Sequence, residues 1–237
     1  IACVDFDGDG RIDIFVANDG MQDQLWHNRG DGTFEDIGLI AGCALDDEGK
    51  AKAGMGVTVS DTDDDGDLDL LVCNLTGESD SFFRNEGSYF VDTTATVGLK
   101  STSKPFTRFG IGWIDFDNDG YLDLYEANGR VLRTAVDKNT DPYAQENMVY
   151  RGTSSGRFEP LTPRGGVAEP HSFTSRGAAF GDLDNDGFMD AVIVNRDAPA
   201  TILRNTVGGD GHWVRFRVLD RNGRDALGSI LTATIGQ

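Results

Sequence analysis

A nine-residue loop that occurs four times constrains this chain more than any other feature. Each copy has Asp at loop positions 1, 3, 5 and 9 and Gly at position 6, and the copies begin at Asp5, Asp61, Asp115 and Asp182. A hard cation such as Ca²⁺ takes about six to eight oxygen ligands, and alternate side chains of a tight loop can converge on one ion. The sequence therefore predicts four calcium sites, one in each loop.

The predicted ligands of each site are its four carboxylates and the backbone carbonyl at position 7. The residues at position 7 are Arg11, Asp67, Tyr121 and Phe188. The predicted carboxylate ligands are Asp5, Asp7, Asp9, Asp13, Asp61, Asp63, Asp65, Asp69, Asp115, Asp117, Asp119, Asp123, Asp182, Asp184, Asp186 and Asp190. Position 4 holds only Gly, Asp or Asn, the residue types that best tolerate a left-handed backbone.

The loop differs from an EF-hand, which requires Glu at position 12 and flanking helices. The third loop alone has Glu there, at Glu126, whereas the others have Val16, Val72 and Ile193. Valine and isoleucine cannot bind calcium. We therefore interpret the Asp at position 9 as the closing ligand and Glu126 as an incidental strand residue.

Short apolar runs that end in Asn follow every loop, at 12–18, 68–74, 122–128 and 189–195. Such runs are typical of strands buried on both faces. Gly56, Gly110 and Gly177 each lie five residues before a loop, in small-residue segments that predict a preceding strand. Each loop should thus join two strands.

A glycine turn between two apolar segments recurs at 25–36, 82–92 and 149–160 and predicts a hairpin in each repeat unit. A hairpin added to the two strands around the loop makes a four-stranded unit. Units of 54 to 67 residues that repeat are typical of propeller blades. We expect an all-β protein with about four visible blades at 1–207, and further blades before Ile1 that complete the ring.

The repeat stops after Asn205, and residues 208–237 have no calcium loop. The segments His212–Val218 and Ser229–Ile235 are predicted strands around the turn signal Asn222-Gly223. We interpret 208–237 as the beginning of a second, truncated β domain.

The net charge of −19 is almost entirely due to the loops, because the chain without the charge of the sixteen loop aspartates would carry about −3. No basic stripe is present, and the negative field would repel phosphate, so nucleic acid is not an expected partner. No apolar run is long enough to span a membrane. The chain has three cysteines. When the repeats are aligned, Cys3 and Cys73 fall at positions of predicted strands and are predicted to be small buried apolar residues, whereas Cys43 lies in a connection between strands.

The loop followed by Leu/Phe-x-Arg-Asn-x-Gly-x-x-Phe resembles FG-GAP/VCBS repeats, which occur in integrin α-chain propellers and many bacterial secreted proteins. The segment 176–187, His212-Trp213 and the segment 222–229 together resemble the cartilage acidic protein family, in which such a propeller precedes an ASPIC/UnbV domain. Residues 208–237, which we call the tail, depart from that family by the extra Gly223 and by stopping early. The resemblance implies seven blades, a secreted or cell-surface setting, and binding rather than catalysis.

The sequence thus predicts a calcium-binding, non-enzymatic module for binding, adhesion or assembly, with a protein or glycan ligand or neighbouring subunits as partners. The predicted location is extracellular or at the cell surface, with the periplasm as an alternative. No catalytic residue is predicted, because no nucleophile elbow, phosphate loop or zinc spacing is present.

Two other functions stay open. A calcium-dependent polysaccharide lyase would be favoured if Arg130, Arg133, Lys138 and His171 gathered at one cleft, and dispersal would favour the binding module. A purely structural subunit would be favoured if the insertion at 131–147, which lengthens the third unit, were buried in a contact.

Overall fold

Antiparallel strands form nearly all of the regular structure in this computed structural model, which describes residues 1–133, 141–207, 212–226, 229 and 231–232. In the described part of the chain, three sheets have four strands each, a fourth has three, and one small sheet has two. We call the first four sheets, in chain order, units 1 to 4. The chain is therefore all-β, as expected.

Units 1 and 2 have the same up-and-down order of neighbouring strands. Unit 1 consists of β1 (Ala2–Val4), β2 (Asp13–Val16), β3 (Gln24–Asn28) and β4 (Phe34–Asp36). Unit 2 consists of β5 (Gly56–Ser60), β6 (Asp69–Cys73), β7 (Ser81–Asn85) and β8 (Phe90–Asp92). An aspartate-rich loop joins the first two strands of each unit, and the predicted hairpin forms the last two.

Unit 3 repeats this order with one insertion. Its strands are β9 (Arg108–Ile114), β10 (Asp123–Asn128), β12 (Met148–Gly152) and β13 (Phe158–Pro160), and the insertion contributes β11 (Gln145–Glu146). The short strand β14 (Ser172–Phe173) pairs with β11. Unit 4 consists of β15 (Ser175–Gly181), β16 (Asp190–Asn195) and β17 (Thr201–Leu203).

Helices contribute little to the described structure. The helices α1 (Gly38–Ala41) and α2 (Leu99–Thr102) follow the outer strands of units 1 and 2, and a 3-10 turn at Arg164–Gly166 follows the outer strand of unit 3. None of the helices in the described residues is long and apolar enough to cross a membrane.

The hydrophobic core lies between neighbouring sheets. Phe15 and Leu25 of unit 1 pack with Leu70 and Phe83 of unit 2. A second cluster joins unit 2 to unit 3, and a third joins unit 3 to unit 4. All five residues of β6 are buried, with Leu70 facing unit 1 and its neighbour Leu71 facing unit 3. The prediction of strands buried on both faces is confirmed for this unit.

The first strands of successive units approach one another closely because glycine removes the side chain there. A Cβ atom added to Gly56 would lie 2.1 Å from the carbonyl oxygen of Phe109 in unit 3. A Cβ atom added to Gly110 would lie 2.4 Å from the backbone nitrogen of Ala178 in unit 4. The small-residue segments that the sequence places before the loops therefore form the contacts between neighbouring units.

Two predictions fail in the described residues. Residues 212–218 form no strand, since their backbone has no neighbouring strand to pair with, although Asn222-Gly223 does make the predicted turn beside the Leu219–Asp225 bridge. Cys3 is exposed rather than buried, because it lies on the outward face of unit 1, whereas Cys73 is buried as predicted.

Candidate metal centres

The four loops share one backbone arrangement. In the third loop, Asp115 accepts hydrogen bonds from the backbone N–H groups of Asp119 at 3.0 Å and Gly120 at 2.9 Å. The first aspartate of every other loop accepts the same two bonds, at distances between 2.7 and 3.2 Å. The carboxylate at position 1 therefore holds the loop in a tight turn and fixes the direction of the side chains that follow.

Position 4 has a left-handed backbone in all four loops. The φ angle is +71° at Gly8, +60° at Asp64, +54° at Asn118 and +61° at Asn185. Apart from Asp197, these Asp and Asn residues are the only non-glycine residues with positive φ in the described chain. The choice of residue at this position therefore follows from backbone geometry.

The aspartate at position 9 joins the loop to the hairpin. These four residues, Asp13, Asp69, Asp123 and Asp190, are only 1 to 3% exposed. One carboxylate oxygen accepts the N–H of position 2, and the other accepts an N–H from the hairpin at 2.8 to 2.9 Å. The donors are Asn28, Asn85 and Gly152 of the hairpins and, in unit 4, Asn205, which follows β17.

Carboxylate oxygens converge in every loop. In loops 3 and 4, one oxygen from each of positions 1, 3 and 9 lies within 4.8 Å of the others, and in loops 1 and 2 the converging set is positions 1, 3 and 5. Two ligands on opposite sides of an ion with bonds of about 2.4 Å are about 4.8 Å apart, so these sets fit a calcium-sized cation. Among the predicted carboxylates, Asp13, Asp69, Asp119 and Asp186 fall outside these sets, and Asp13 instead lies in a separate group with Asp7 and His27.

The predicted carbonyl ligands at Arg11, Asp67, Tyr121 and Phe188 stay predictions. The N–H of each of these residues donates to the carboxylate at position 5, at 2.8 to 3.0 Å. The bond is present in all four loops, including loops 1 and 2, where position 5 also converges with positions 1 and 3.

Burial, with a smaller contribution from neighbouring carboxylates, raises the pKa of two of the loop aspartates, Asp63 and Asp123. Burial, together with the charges of Asp117 and Asp115, raises the pKa of Asp123 to about 6, although its backbone hydrogen bonds oppose the shift. Burial and the neighbouring charges also raise the pKa of Asp63, with Arg84 opposing them. A bound cation would favour the charged forms, so the donor set suits a positive ion.

A basic side chain from the hairpin stands beside each loop. Arg84 lies 3.0 Å from Asp63, Arg151 lies 2.9 Å from both Asp117 and Asp119, and Arg204 lies 2.5 Å from Asp184. In unit 1 the same position holds His27. When the repeats are aligned, the sequence shows that these residues occupy one shared position, but it gives no sign that they contact the candidate metal loops.

The tail contributes one more cation at the fourth loop. Arg215 lies 2.6 Å from Asp182 and donates to Asn185 at 2.8 Å, and Trp213 packs over Gly187. This loop is therefore partly covered by residues that follow the repeats.

Sequence reasoning misses a buried polar cluster between units 2 and 3. Arg108 lies 2.7 Å from Asp80, and neither side chain is exposed. Glu126 is also fully buried. Asp80 repels the ionised form of Glu126 and raises the pKa of Glu126, whereas Arg108 attracts the ionised form and lowers that pKa. Burial dominates, so the pKa of Glu126 lies well above its usual value.

The interpretation of Glu126 as an incidental strand residue is therefore wrong. It is no ligand of the third loop, but it belongs to a structural cluster with Arg108 and Asp80. An arginine and a glutamate within two otherwise apolar strands were the signal that could have indicated this cluster.

The insertion in unit 3 is held firmly at its base. Arg176 of unit 4 donates to the carbonyls of Gly129 at 3.0 Å and Arg130 at 2.9 Å. Arg130 itself donates to the carbonyl of Ala144 at 2.7 Å. The base of the insertion thus packs against the neighbouring unit, while Leu132 is 78% exposed.

The predicted cationic residues do not form one cleft in the described part of the chain. His171 stacks on Phe173 and lines a cavity of about 20 Å³ with Arg164, a cavity to which Arg130 does not contribute. Arg133 is exposed. Lys138 lies outside the described residues.

The repeated loop, its two flanking strands and the hairpin that braces it define a known class of repeat. The family model described as "FG-GAP-like repeat" matches residues 5–72, 61–126 and 135–193. Together these matches cover more than half of the chain, and this chain belongs to the FG-GAP-like repeat family.

Among curated proteins, the chain is similar to cartilage acidic protein 1. It is 27% identical to the human protein over 227 residues, covering 92% of this chain and 31% of that protein. It is 27% identical to the Xenopus tropicalis protein over 231 residues, covering 92% of this chain and 32% of that protein. The chain thus spans about a third of the length of these relatives.

Among solved structures, one similar chain is a lectin from Agrocybe aegerita described as recognising non-reducing terminal N-acetylglucosamine. Its TM-score is 0.42 at 18% sequence identity, and the match covers 86% of this chain and 51% of the lectin chain.

Proposed function

We propose that this chain is the calcium-stabilised part of a β-propeller and acts outside the cell as a module for binding or assembly. The observation that carries the proposal is the fourfold recurrence of one loop, at the same place in each sheet, with converging carboxylates. Extracellular modules commonly bind calcium with Kd of about 10⁻⁴ to 10⁻³ M, which suits the millimolar calcium outside cells.

In this proposal the four units are blades of a ring that is completed by further blades, seven in all if the ring follows the family resemblance. The face-to-face packing of successive sheets and the close approach of their first strands support it. The residues from 208 onward are proposed to begin a separate β domain.

Calcium is proposed to stabilise the blades rather than to take part in a reaction. Each loop joins two strands, and its position-9 aspartate also holds the hairpin, so an ion there would restrain three of the strands in its unit. At a concentration of 100 times Kd, each independent site would contribute about 2.7 kcal/mol to the free energy of unfolding.

The insertion is the proposed recognition segment. Its base is fixed by Arg176, while Val131 and Leu132 are exposed on it. A protein or glycan ligand or a neighbouring subunit could use this surface. Because Arg130 and His171 lie in separate environments in the described chain, a binding module is better supported than a polysaccharide lyase.

The experiment that tests the calcium proposal is thermal unfolding with and without EGTA, combined with counting of bound calcium. We expect close to four ions per chain and a large rise in Tm with calcium. Asp63→Asn should remove one ion and lower Tm in calcium. Asp64→Asn is the matched control, because it makes the same charge change one residue away, at a position where other loops have Gly or Asn. Equal effects of the two variants, or fewer than two bound ions in the unmodified chain, would contradict the proposal.

A further inference from the structure

The first loop differs from the others in the residue that stands beside it. Units 2, 3 and 4 have Arg84, Arg151 and Arg204 at this position, and unit 1 has His27. A guanidinium group is always charged and cannot bind a metal, whereas a neutral imidazole nitrogen is the commonest transition-metal ligand in proteins.

The ring of His27 faces two carboxylates at once. Its Nδ1 atom lies 3.3 Å from Oδ2 of Asp7 and 3.3 Å from Oδ1 of Asp13. Both distances exceed the usual range of about 2.7 to 3.2 Å for an N–H···O hydrogen bond. They are close to the separation of about 3.4 Å between two ligands of a tetrahedral ion with bonds near 2.1 Å.

The three side chains come from different parts of unit 1, and backbone hydrogen bonds hold Asp13 in place. Asp13 is 2% exposed, and it accepts the N–H groups of Phe6 at 3.3 Å and Asn28 at 2.8 Å. His27 lies in β3, directly before Asn28. Such outer hydrogen bonds orient metal ligands and fix the geometry of a site.

The same three residues line a cavity between units 1 and 2. Its volume is about 280 Å³, and its other walls include Phe6, Leu25 and Phe90. The cavity provides room for an ion and for the water that completes a three-ligand zinc site. This space is an observation separate from the spacing of the ligands.

We propose that Asp7, Asp13 and His27 form a site for a borderline divalent cation, of which Zn²⁺ is the representative, with an open position toward the cavity. Imidazole with carboxylate suits zinc, whereas calcium takes oxygen ligands alone. The proposal rests on the proposed function in that Asp7 and Asp13 are also predicted ligands of the first calcium loop, so the two ions would share both carboxylates.

The test is calorimetric titration of the chain with Zn²⁺ in excess calcium. We expect one zinc ion per chain, and at least a tenfold loss of zinc affinity in His27→Arg, which installs the residue of the other units. His171→Gln and His212→Gln are the controls and should bind zinc as the unmodified chain does. Co²⁺ in place of Zn²⁺ should give the visible absorption of a low-coordinate, nitrogen-ligated site, and His27→Arg should abolish that absorption.

Equal zinc affinity in His27→Arg and the unmodified chain would overturn the proposal. Should His27→Arg fail to fold, as judged by circular dichroism, His27→Gln provides the same comparison with a smaller, neutral side chain. Calcium counting on the same samples separates the two proposals. If close to four calcium ions bind and zinc binding does not depend on His27, only the zinc site is overturned. If fewer than two calcium ions bind and zinc binding does depend on His27, only the calcium sites are overturned.

Discussion

Glu126 shows how one side chain can link folding to pH. It is completely buried in β10, and burial and the charge of Asp80 raise its pKa, with Arg108 opposing them. The folded chain therefore holds a proton on Glu126 at pH values where the unfolded chain has released it. The stability contributed by this proton is fully present below the pKa of the unfolded chain and is lost as pH rises toward the folded pKa.

We expect Glu126→Gln to remove this dependence, because an amide stays neutral and can still donate a hydrogen bond toward Asp80. The difference in Tm between variant and unmodified chain should grow in favour of the variant from pH 5 to pH 8. Thermal unfolding in saturating calcium measures it, since calcium at the proposed sites would keep the loop aspartates ionised. A constant difference across this range would contradict the assignment.

Gly110 illustrates a backbone constraint of a different kind. Its missing side chain allows β9 to approach Ala178 of unit 4, and the obstacle to a Cβ atom there is backbone rather than a movable side chain. We expect Gly110→Ala to lower the free energy of unfolding by about 1 to 3 kcal/mol. Gly181→Ala is the control, since a Cβ atom at Gly181 would meet no atom within 4 Å. Chemical denaturation of both variants measures the difference.

At the level of the structural element, the hairpin asparagines link units as well as strands. The side chain of Asn85 donates to the carbonyl of Phe6 in unit 1 at 2.8 Å and to that of Leu68 in its own unit at 3.3 Å. Asn205 makes the equivalent pair of bonds to Phe116 and Met189. In the described residues, the side-chain amide of Asn28 donates only to the carbonyl of Ile12 in its own unit, at 3.1 Å.

This difference predicts unequal effects of the same substitution. Asn85→Ala leaves two carbonyls without a buried donor and should cost about 1 to 3 kcal/mol in the free energy of unfolding. Asn28→Ala should cost clearly less, because its bond is exposed and lies within one unit. Urea unfolding of the two variants in calcium checks the prediction, and equal losses would argue against a link between units.

The elements themselves could be predicted well from the repeat. The strands after the loops and the hairpins of the first three units lie where the apolar runs and glycine turns indicate, because local turn chemistry and burial on both faces determine them. The tail strand was not predictable in this way. Alternating residues at 212–218 form a strand only if another edge is available, and a sequence pattern does not show whether one is.

The position and backbone shape of the four loops could be predicted from the sequence, whereas their surroundings could not, and metal binding by the individual aspartates stays a prediction. Matched aspartates at fixed spacing identify the loops, and left-handed position 4 follows from the residue types there. The contacts of Arg84, Arg151, Arg204 and His27 depend on how the hairpin folds back over the loop. Residues distant in sequence meet there, so the spacing within the loop gives no information about them.

At the level of the whole molecule, stability resides between the sheets. Phe82 of unit 2 is completely buried and packs against Trp113 and Phe158 of unit 3. We expect Phe82→Ala to cost about 3 to 5 kcal/mol, and Phe34→Ala, at a site that is 41% exposed, to cost far less. Thermal and chemical unfolding of both variants would decide this, and a small effect of Phe82→Ala would contradict a core shared between units.

The alternation of Leu70 and Leu71 between two cores has a consequence for protein engineering. A single repeat carries half of each of two interfaces and no complete interior of its own. Grafting one repeat from a related protein would therefore create two mismatched junctions, however well the transplanted repeat folds internally. Because residues of the two faces alternate along the same strand, no cut in the chain separates the faces, and compatible neighbouring repeats must be exchanged together.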